Sequence, residues 1–200
     1  MNLSKITLAT FAALTLVQAT DAVAADKKYL NQQTALNNMM QSNSASILST
    51  SPKDLIGLSV RNELVVLKEF ISNNGEVTRR YQQTYQGLPV IGDTLSLTFK
   101  NGMLKKAHGA AVYDIEGDIN DVSAKLSVKQ AMLQSQNLGI AAKTIGLKKH
   151  NEKSRLAIWV DQQSKAHLVY EVSYVTYGKS PSRPYQIIDA NTGEVLLSYD

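Results

Sequence analysis

The chain has 200 residues, 44% of them hydrophobic and 19% charged, with a mean hydropathy of −0.18 and a formal charge of +4. This length fits one large domain or two small ones, and the balance excludes a polytopic membrane protein and a wholly disordered acidic tail. With no cysteine, disulfide frameworks, thiolate metal sites and cysteine nucleophiles are excluded as well.

Residues 1–24 have the build of a secretory signal peptide. Lys5 supplies a positive start, and Ile6 to Ala19 is apolar but short for a bilayer span. Ala22-Val23-Ala24 then offers the small-x-small pattern that signal peptidase accepts. No second long apolar run follows, so the cleaved chain is expected free of the membrane, secreted or periplasmic. Export without cysteine suggests a bacterial route.

Residues 25–54 are polar and rich in Gln, Asn and Ser. Tyr29, Leu30, Leu36, Met39 and Met40 give them only weak helical spacing. They read as a loosely attached arm, or a short helix, leading into the first domain.

From Leu55 the pattern changes to period two. Strands are expected at 63–71, 77–86, 93–100 and 103–113. The second places Val77, Arg79, Tyr81, Gln83 and Tyr85 on one face; in the first, Val65 and Leu67 add apolar residues to the opposite face. Asn73-Asn74-Gly75 and Asn101-Gly102 are turn signals, and Gly87-Leu88-Pro89 breaks the run. Residues 55–117 thus read as an antiparallel β meander.

A polar stretch near Gly117 to Lys125 separates this half from one with a different grammar. Ser127 with Gln130 forms a capping box that opens a helix to about Leu138, with Gly139 in the closing position. Strands follow at 155–160, 167–177, 185–189 and 194–199, the last two joined by Asn191-Thr192-Gly193. Residues 122–200 read as a helix laid on an antiparallel sheet, and the whole chain as α+β in two small domains.

Candidate chemistry is sparse. The positive excess sits in residues 25–113, with ten Lys/Arg against six Asp/Glu, and no basic cluster interleaves with aromatics as nucleic-acid binding requires. Lys143, Lys148, Lys149, Lys153 and Arg155 form the densest run, read as a solvated helix end and loop. His108, His150 and His167 are far apart and form no ligand pair, and Trp159 reads as core. Asp114, Glu116, Asp118 and Asp121 lack the Gly and the bidentate Glu of a calcium loop, so they read as a solvated acidic loop. No Ser sits in a nucleophile elbow and no motif pairs two carboxylates. No catalytic residue, metal ligand or cofactor is assigned.

The segment Arg80-Tyr81-Gln82-Gln83-Thr84-Tyr85-Gln86-Gly87-Leu88-Pro89-Val90-Ile91-Gly92 resembles the signature of the fungalysin/thermolysin propeptide domain. Arg80, Tyr81, Gln83, Tyr85, Gly87, Pro89, Val90 and Gly92 fall in its pattern; Thr78 stands where many relatives carry His. The run from Pro181 to Leu196, with Asp189-Ala190-Asn191-Thr192-Gly193-Glu194, is similar to the end of a PepSY domain. The order resembles the pro-region of secreted thermolysin-like zinc metalloproteases of the vibriolysin and pseudolysin type.

The resemblance implies an intramolecular chaperone and temporary inhibitor, with the protease catalytic domain as its partner, in cis and possibly in trans. It implies no peptidase activity for residues that hold no H-E-x-x-H. Arg80, Gln83 and Tyr85 are the candidate partner-binding residues. Tyr81, Gly87, Pro89, Val90, Gly92, Asp189 and Gly193 are the candidate structural ones. The alternative is a stand-alone secreted inhibitor of a protease acting in trans.

Overall fold

The computed structural model describes residues 24–42, 44–137, 147–177 and 181–200. The predicted leader, the helix end at Leu138 and Gly139, and Lys143 lie outside the described residues. Ten strands and three α-helices occur among those described. The first half holds β1 (Asp26–Tyr29), β2 (Asn62–Ile71), β3 (Glu76–Tyr85), β4 (Leu88–Ile91), β5 (Leu95–Lys100) and β6 (Met103–Tyr113). The second holds β7 (Lys149–Val160), β8 (Ala166–Thr176), β9 (Tyr185–Asp189) and β10 (Val195–Tyr199). The helices are α1 (Thr34–Gln41), α2 (Pro52–Leu55) and α3 (Val128–Asn137).

Local chemistry accounts for most of these boundaries. Asn101 and Gly102 both take positive φ, 51° and 76°, which is what a two-residue hairpin between right-twisted strands needs. α3 opens on the predicted capping box. The Gln130 amide donates to Ser127 Oγ at 3.3 Å, and the Ser127 amide donates to Gln130 Oε1 at 2.8 Å.

Two stretches read as irregular are ordered by pairing. Lys149 to Arg155 is strand, registered against β8 around a bulge between His150 and Lys153. Its charges sit on the exposed side, and Arg155 pairs across the ladder with Glu171. Leu88 and Pro89, expected with Gly87 to break the run, instead open β4.

The polar arm is not loose. Its β1 pairs with β6, from Asp26 opposite Tyr113 to Tyr29 opposite Ala110. Further on, Leu104 donates to the Ala45 carbonyl and Ile47 to the Gly102 carbonyl. Leu30, Leu36, Ala45 and Leu55 are buried in one cluster with Tyr81, Leu95, Leu97, Phe99 and Leu104 of the meander. An antiparallel sheet needs a cover for its apolar face, and this segment supplies it. Few of its residues are apolar; Leu30, Leu36 and Ala45 point inward, while Tyr29 and Leu48 stay exposed.

The two halves share one sheet. Its order is β1-β6-β5-β3-β4-β7-β8-β9-β10, with β2 on the other edge of β3. β4 joins them, antiparallel to β3 and parallel to β7, where Val90 faces Ile158. Beneath the join a second cluster mixes Tyr85, Val90, Val112 and Ile115 with Ala131, Ile158, Leu168, Tyr170 and Ile188. Among the described residues, no helix is long and apolar enough to cross a membrane.

Candidate partner-binding surface

β3 alternates, and that alternation divides the three partner-binding candidates. Tyr81, Gln83 and Tyr85 point inward; Arg80 points outward. Gln83 is 4% exposed. Its Nε2 donates to Asn62 Oδ1 and to the Val112 carbonyl, both at 2.7 Å, and its Oε1 accepts from the Val112 amide at 2.9 Å. Tyr85 is fully buried; its hydroxyl donates to the Ile119 carbonyl at 3.1 Å and accepts from Arg61 at 3.3 Å. Both residues stitch β3 to its neighbours inside the chain. Both are closed off from solvent, whereas Arg80 is exposed on the opposite side of β3.

The remaining motif residues build the turn and the join. Gln86 and Gly87 carry φ of 47° and 82° in the reversal from β3 to β4. Pro89 pairs opposite Thr84, and buried Val90 faces β7. The Val90 carbonyl accepts from Gln82 Nε2 at 2.5 Å, leaving the strand held from both sides. Gly92, at φ 113°, turns the chain toward β5. At the other end of the molecule, Asp189 Oδ1 accepts from the amides of Asn191 and Thr192, each at 2.8 Å. Gly193, at φ 79°, closes that turn by donating to the Asp189 carbonyl.

Arg80 belongs to a different assembly. Directly opposed residues of neighbouring strands share a face. The register therefore aligns Lys68 of β2, Arg80 of β3, Ser96 of β5 and His108 of β6 on the outer face. The adjacent row is Phe70, Thr78, Thr98 and Lys106. Lys68 Nζ lies 4.6 Å from the Phe70 ring centroid, a cation–π distance. Arg80 donates to Thr94 Oγ1 at 3.2 Å, which orients its guanidinium along this face.

β2 extends this surface. It pairs only with β3 among the described strands, and Val65, Val66, Leu67, Phe70 and Ile71 are all at least half exposed. Lys68 and the β2 apolar residues were not among the sequence candidates. The signal was present in Val65 and Leu67, because a strand apolar on both faces ordinarily has both faces covered. A free strand edge with apolar side chains beside a basic row suits another protein: backbone groups for pairing, apolar area for burial, positive charge for steering.

The histidines stay apart. His108 is exposed on the outer face, His150 packs edge-on to Tyr177, and His167 bonds to Asp161 at 2.8 Å. Trp159 is half-buried beside Ile91, Tyr185 and Leu196. The acidic loop is partly built in, since Asp118 accepts backbone amides from Ala25 and Ala166. Among the described residues, no group of three His, Cys, Asp or Glu side chains is placed to hold a metal ion.

Comparison with known proteins bears on what such a surface serves. Residues 62–111 match the family model of the fungalysin/thermolysin propeptide motif, and residues 141–199 that of the peptidase propeptide and YPEB (PepSY) domain. The neutral protease of Vibrio proteolyticus is 28% identical over 194 residues, covering 94% of this chain and 30% of that protein. The virulence metalloprotease of Vibrio anguillarum is 31% identical over 146 residues, 70% of this chain and 24% of the relative. The hemagglutinin/proteinase of Vibrio cholerae is 34% identical over 128 residues, 64% and 21% respectively. The chain thus spans between 21% and 30% of the length of these relatives. Among solved structures, the Bacillus megaterium YpeB C-terminal domain aligns over 84% of this chain and 66% of its own, with a TM-score of 0.35 and 19% identity. A fungalysin/thermolysin propeptide domain followed by a PepSY domain is what this chain is built from, and the pair places it with the pro-regions of thermolysin-like metalloproteases.

Proposed function

We propose that the chain acts as the pro-region of a secreted thermolysin-like zinc metalloprotease, both chaperone for folding and temporary inhibitor of the catalytic domain. The observation that carries this reading is the two propeptide domains in tandem, in a chain whose relatives are proteases about three times longer. On this reading the chain itself performs no peptide hydrolysis; the zinc and its ligands belong to the partner. A segment that binds the native protease and its folding transition state, but not the unfolded chain, stabilises the product by mass action. Covalent linkage keeps the effective concentration high until the junction is cut, so modest affinity suffices. The outer face with Lys68, Phe70 and Arg80, together with the free edge of β2, is the docking surface in this scheme.

The test is refolding of a denatured catalytic domain of a thermolysin-like relative with this chain added in trans. The expected result is a higher yield of active enzyme and slower hydrolysis by the native enzyme. Arg80→Glu should weaken both effects while the melting temperature stays nearly unchanged. Slower hydrolysis with no gain in folding yield would instead identify an inhibitor acting in trans. No effect on either would overturn the pro-region reading.

A further inference from the structure

The structure assigns Asp118 as the acceptor for the α-ammonium group of the chain's own processed N-terminus at Ala25. The small-x-small pattern Ala22-Val23-Ala24 places the scissile bond between Ala24 and Ala25. Ala25 is 1% exposed and sits in the core cluster shared by both halves. Its backbone nitrogen lies 3.0 Å from Asp118 Oδ2, and the same oxygen accepts from the Ala166 amide at 2.8 Å. One carboxylate oxygen therefore holds the start of the mature chain, the segment after β6 and the start of β8.

Asp118 is placed by backbone structure rather than by chance. It ends the 3₁₀ turn Ile115–Gly117, whose Ile115 is fully buried, and its own amide donates to the Ile115 carbonyl at 3.1 Å. β1 leaves Ala25 directly into its ladder with β6, so the nitrogen has no freedom to wander. Before cleavage the nitrogen is a neutral amide with one proton. Hydrolysis of the Ala24–Ala25 bond adds water across it, leaving a carboxylate on the leader and an ammonium with three protons on Ala25. A hydrogen bond with only its acceptor charged thereby becomes an ion pair in which donor and acceptor are both charged. Asp118 is partly buried and Ala25 is 1% exposed, so the ion pair has to offset part of the desolvation penalty of an interior pair. Leader removal thus tightens the clasp between the two halves, and the native state is firmest only after export.

The charged groups on the packed segments are few. β1 carries Asp26, bound to Lys28 at 3.1 Å; the turn carries Asp114 and Glu116; Lys165 precedes Ala166, and His167 is engaged by Asp161. Asp118 is the acceptor that the Ala25 nitrogen reaches.

The experiment compares four proteins: the chain starting at Ala25 and the same chain with one added N-terminal Gly, each with Asp118 intact or Asp118→Asn. Urea unfolding and NMR titration of the α-amino group are the readouts. The authentic start should show a roughly tenfold larger folding equilibrium constant than the Gly-extended chain. Asp118→Asn should abolish that difference. The α-amino group of the authentic start should titrate above its ordinary range. Its contribution is then complete below the unfolded value of about pH 8 and lost as pH rises through the higher folded value. Should Asp118→Asn fail to fold, the Gly extension on the intact chain carries the comparison alone. Equal stability of the two starts, an α-amino group titrating in its ordinary range, or an exported chain that begins elsewhere than Ala25 would each overturn the assignment.

Discussion

Gln83 makes three hydrogen bonds to partners on β2 and β6, all between 2.7 and 2.9 Å, from a nearly closed site. Removing its amide orphans the Val112 amide and carbonyl and the Asn62 side chain together. Gln83→Ala should therefore cost about 2–4 kcal/mol in urea unfolding, beyond the ordinary surface substitution. Arg80→Ala, one step off its parity on the same strand, should change stability by no more than about 0.5 kcal/mol. Comparable losses for the two would contradict the inward and outward assignments. This distinction was legible in the sequence. Tyr81, Gln83 and Tyr85 share an odd parity that Arg80 breaks, so a period-two strand cannot present all three candidates to one partner. What the motif alone could not convey was which face would be closed, because the cover is distant in sequence: the polar arm packs with Tyr81, and Ile158, Leu168 and Ile188 of the second half share a core with Tyr85.

Elements are stabilised here by their turns and close approaches. In the β7–β8 hairpin, Asp161 Oδ1 accepts from the amides of Gln163 and Lys165 at 2.9 Å, and Oδ2 meets His167 Nε2 at 2.8 Å. Burial alone would raise the Asp161 carboxyl, but the bonds from His167, Lys165 and Gln163 together hold it below its usual value. A lowered folded value means stability that is present above the unfolded value, near pH 4, and lost as pH falls through the folded one. Asp161→Asn should thus cost on the order of 1–2 kcal/mol at neutral pH, and its deficit should shrink in unfolding measured below about pH 4. A deficit independent of pH would refute the carboxylate's part in it.

Glycines provide a second contrast at this scale. A Cβ at Gly87 would meet nothing within 4 Å, so Gly87→Ala should cost only the positive-φ penalty of about 1 kcal/mol. A Cβ at Gly109 would come within 2.3 Å of the Thr94 carbonyl oxygen, on backbone that cannot swing aside. Gly109→Ala should cost about 3 kcal/mol or more, and thermal melts of the two variants rank them directly. A lone Gly inside an expected strand already hinted at a close backbone approach. The partner in that approach was not readable, since it depends on the β5–β6 register.

At the scale of the whole molecule, the sequence divides where the structure joins. The change from meander to helix-and-sheet patterning, the capping box and most strands are local signals, and they lie where local chemistry puts them. The parallel pairing of β4 with β7 is not local, and four residues bounded by Gly and containing Pro do not look like the strand that links two halves. The common core beneath it has a thermodynamic consequence. Tyr85, Val90 and Val112 cannot stay dry without Ile158, Leu168 and Ile188, so neither half retains its native burial when the other unfolds. Calorimetry of the chain should show a single transition with calorimetric and van 't Hoff enthalpies in agreement, as a two-state unit requires. The polar connection offers an independent check. Asn120, Asp121, Ser123 and Lys125 are exposed and outside any helix or strand, so brief trypsin treatment should cut after Lys125. The two fragments should then co-elute in size-exclusion chromatography, held by the β4–β7 pairing and the shared core. Two resolved transitions, or fragments that separate once nicked, would show that the halves are independent domains and that the join contributes little to the fold.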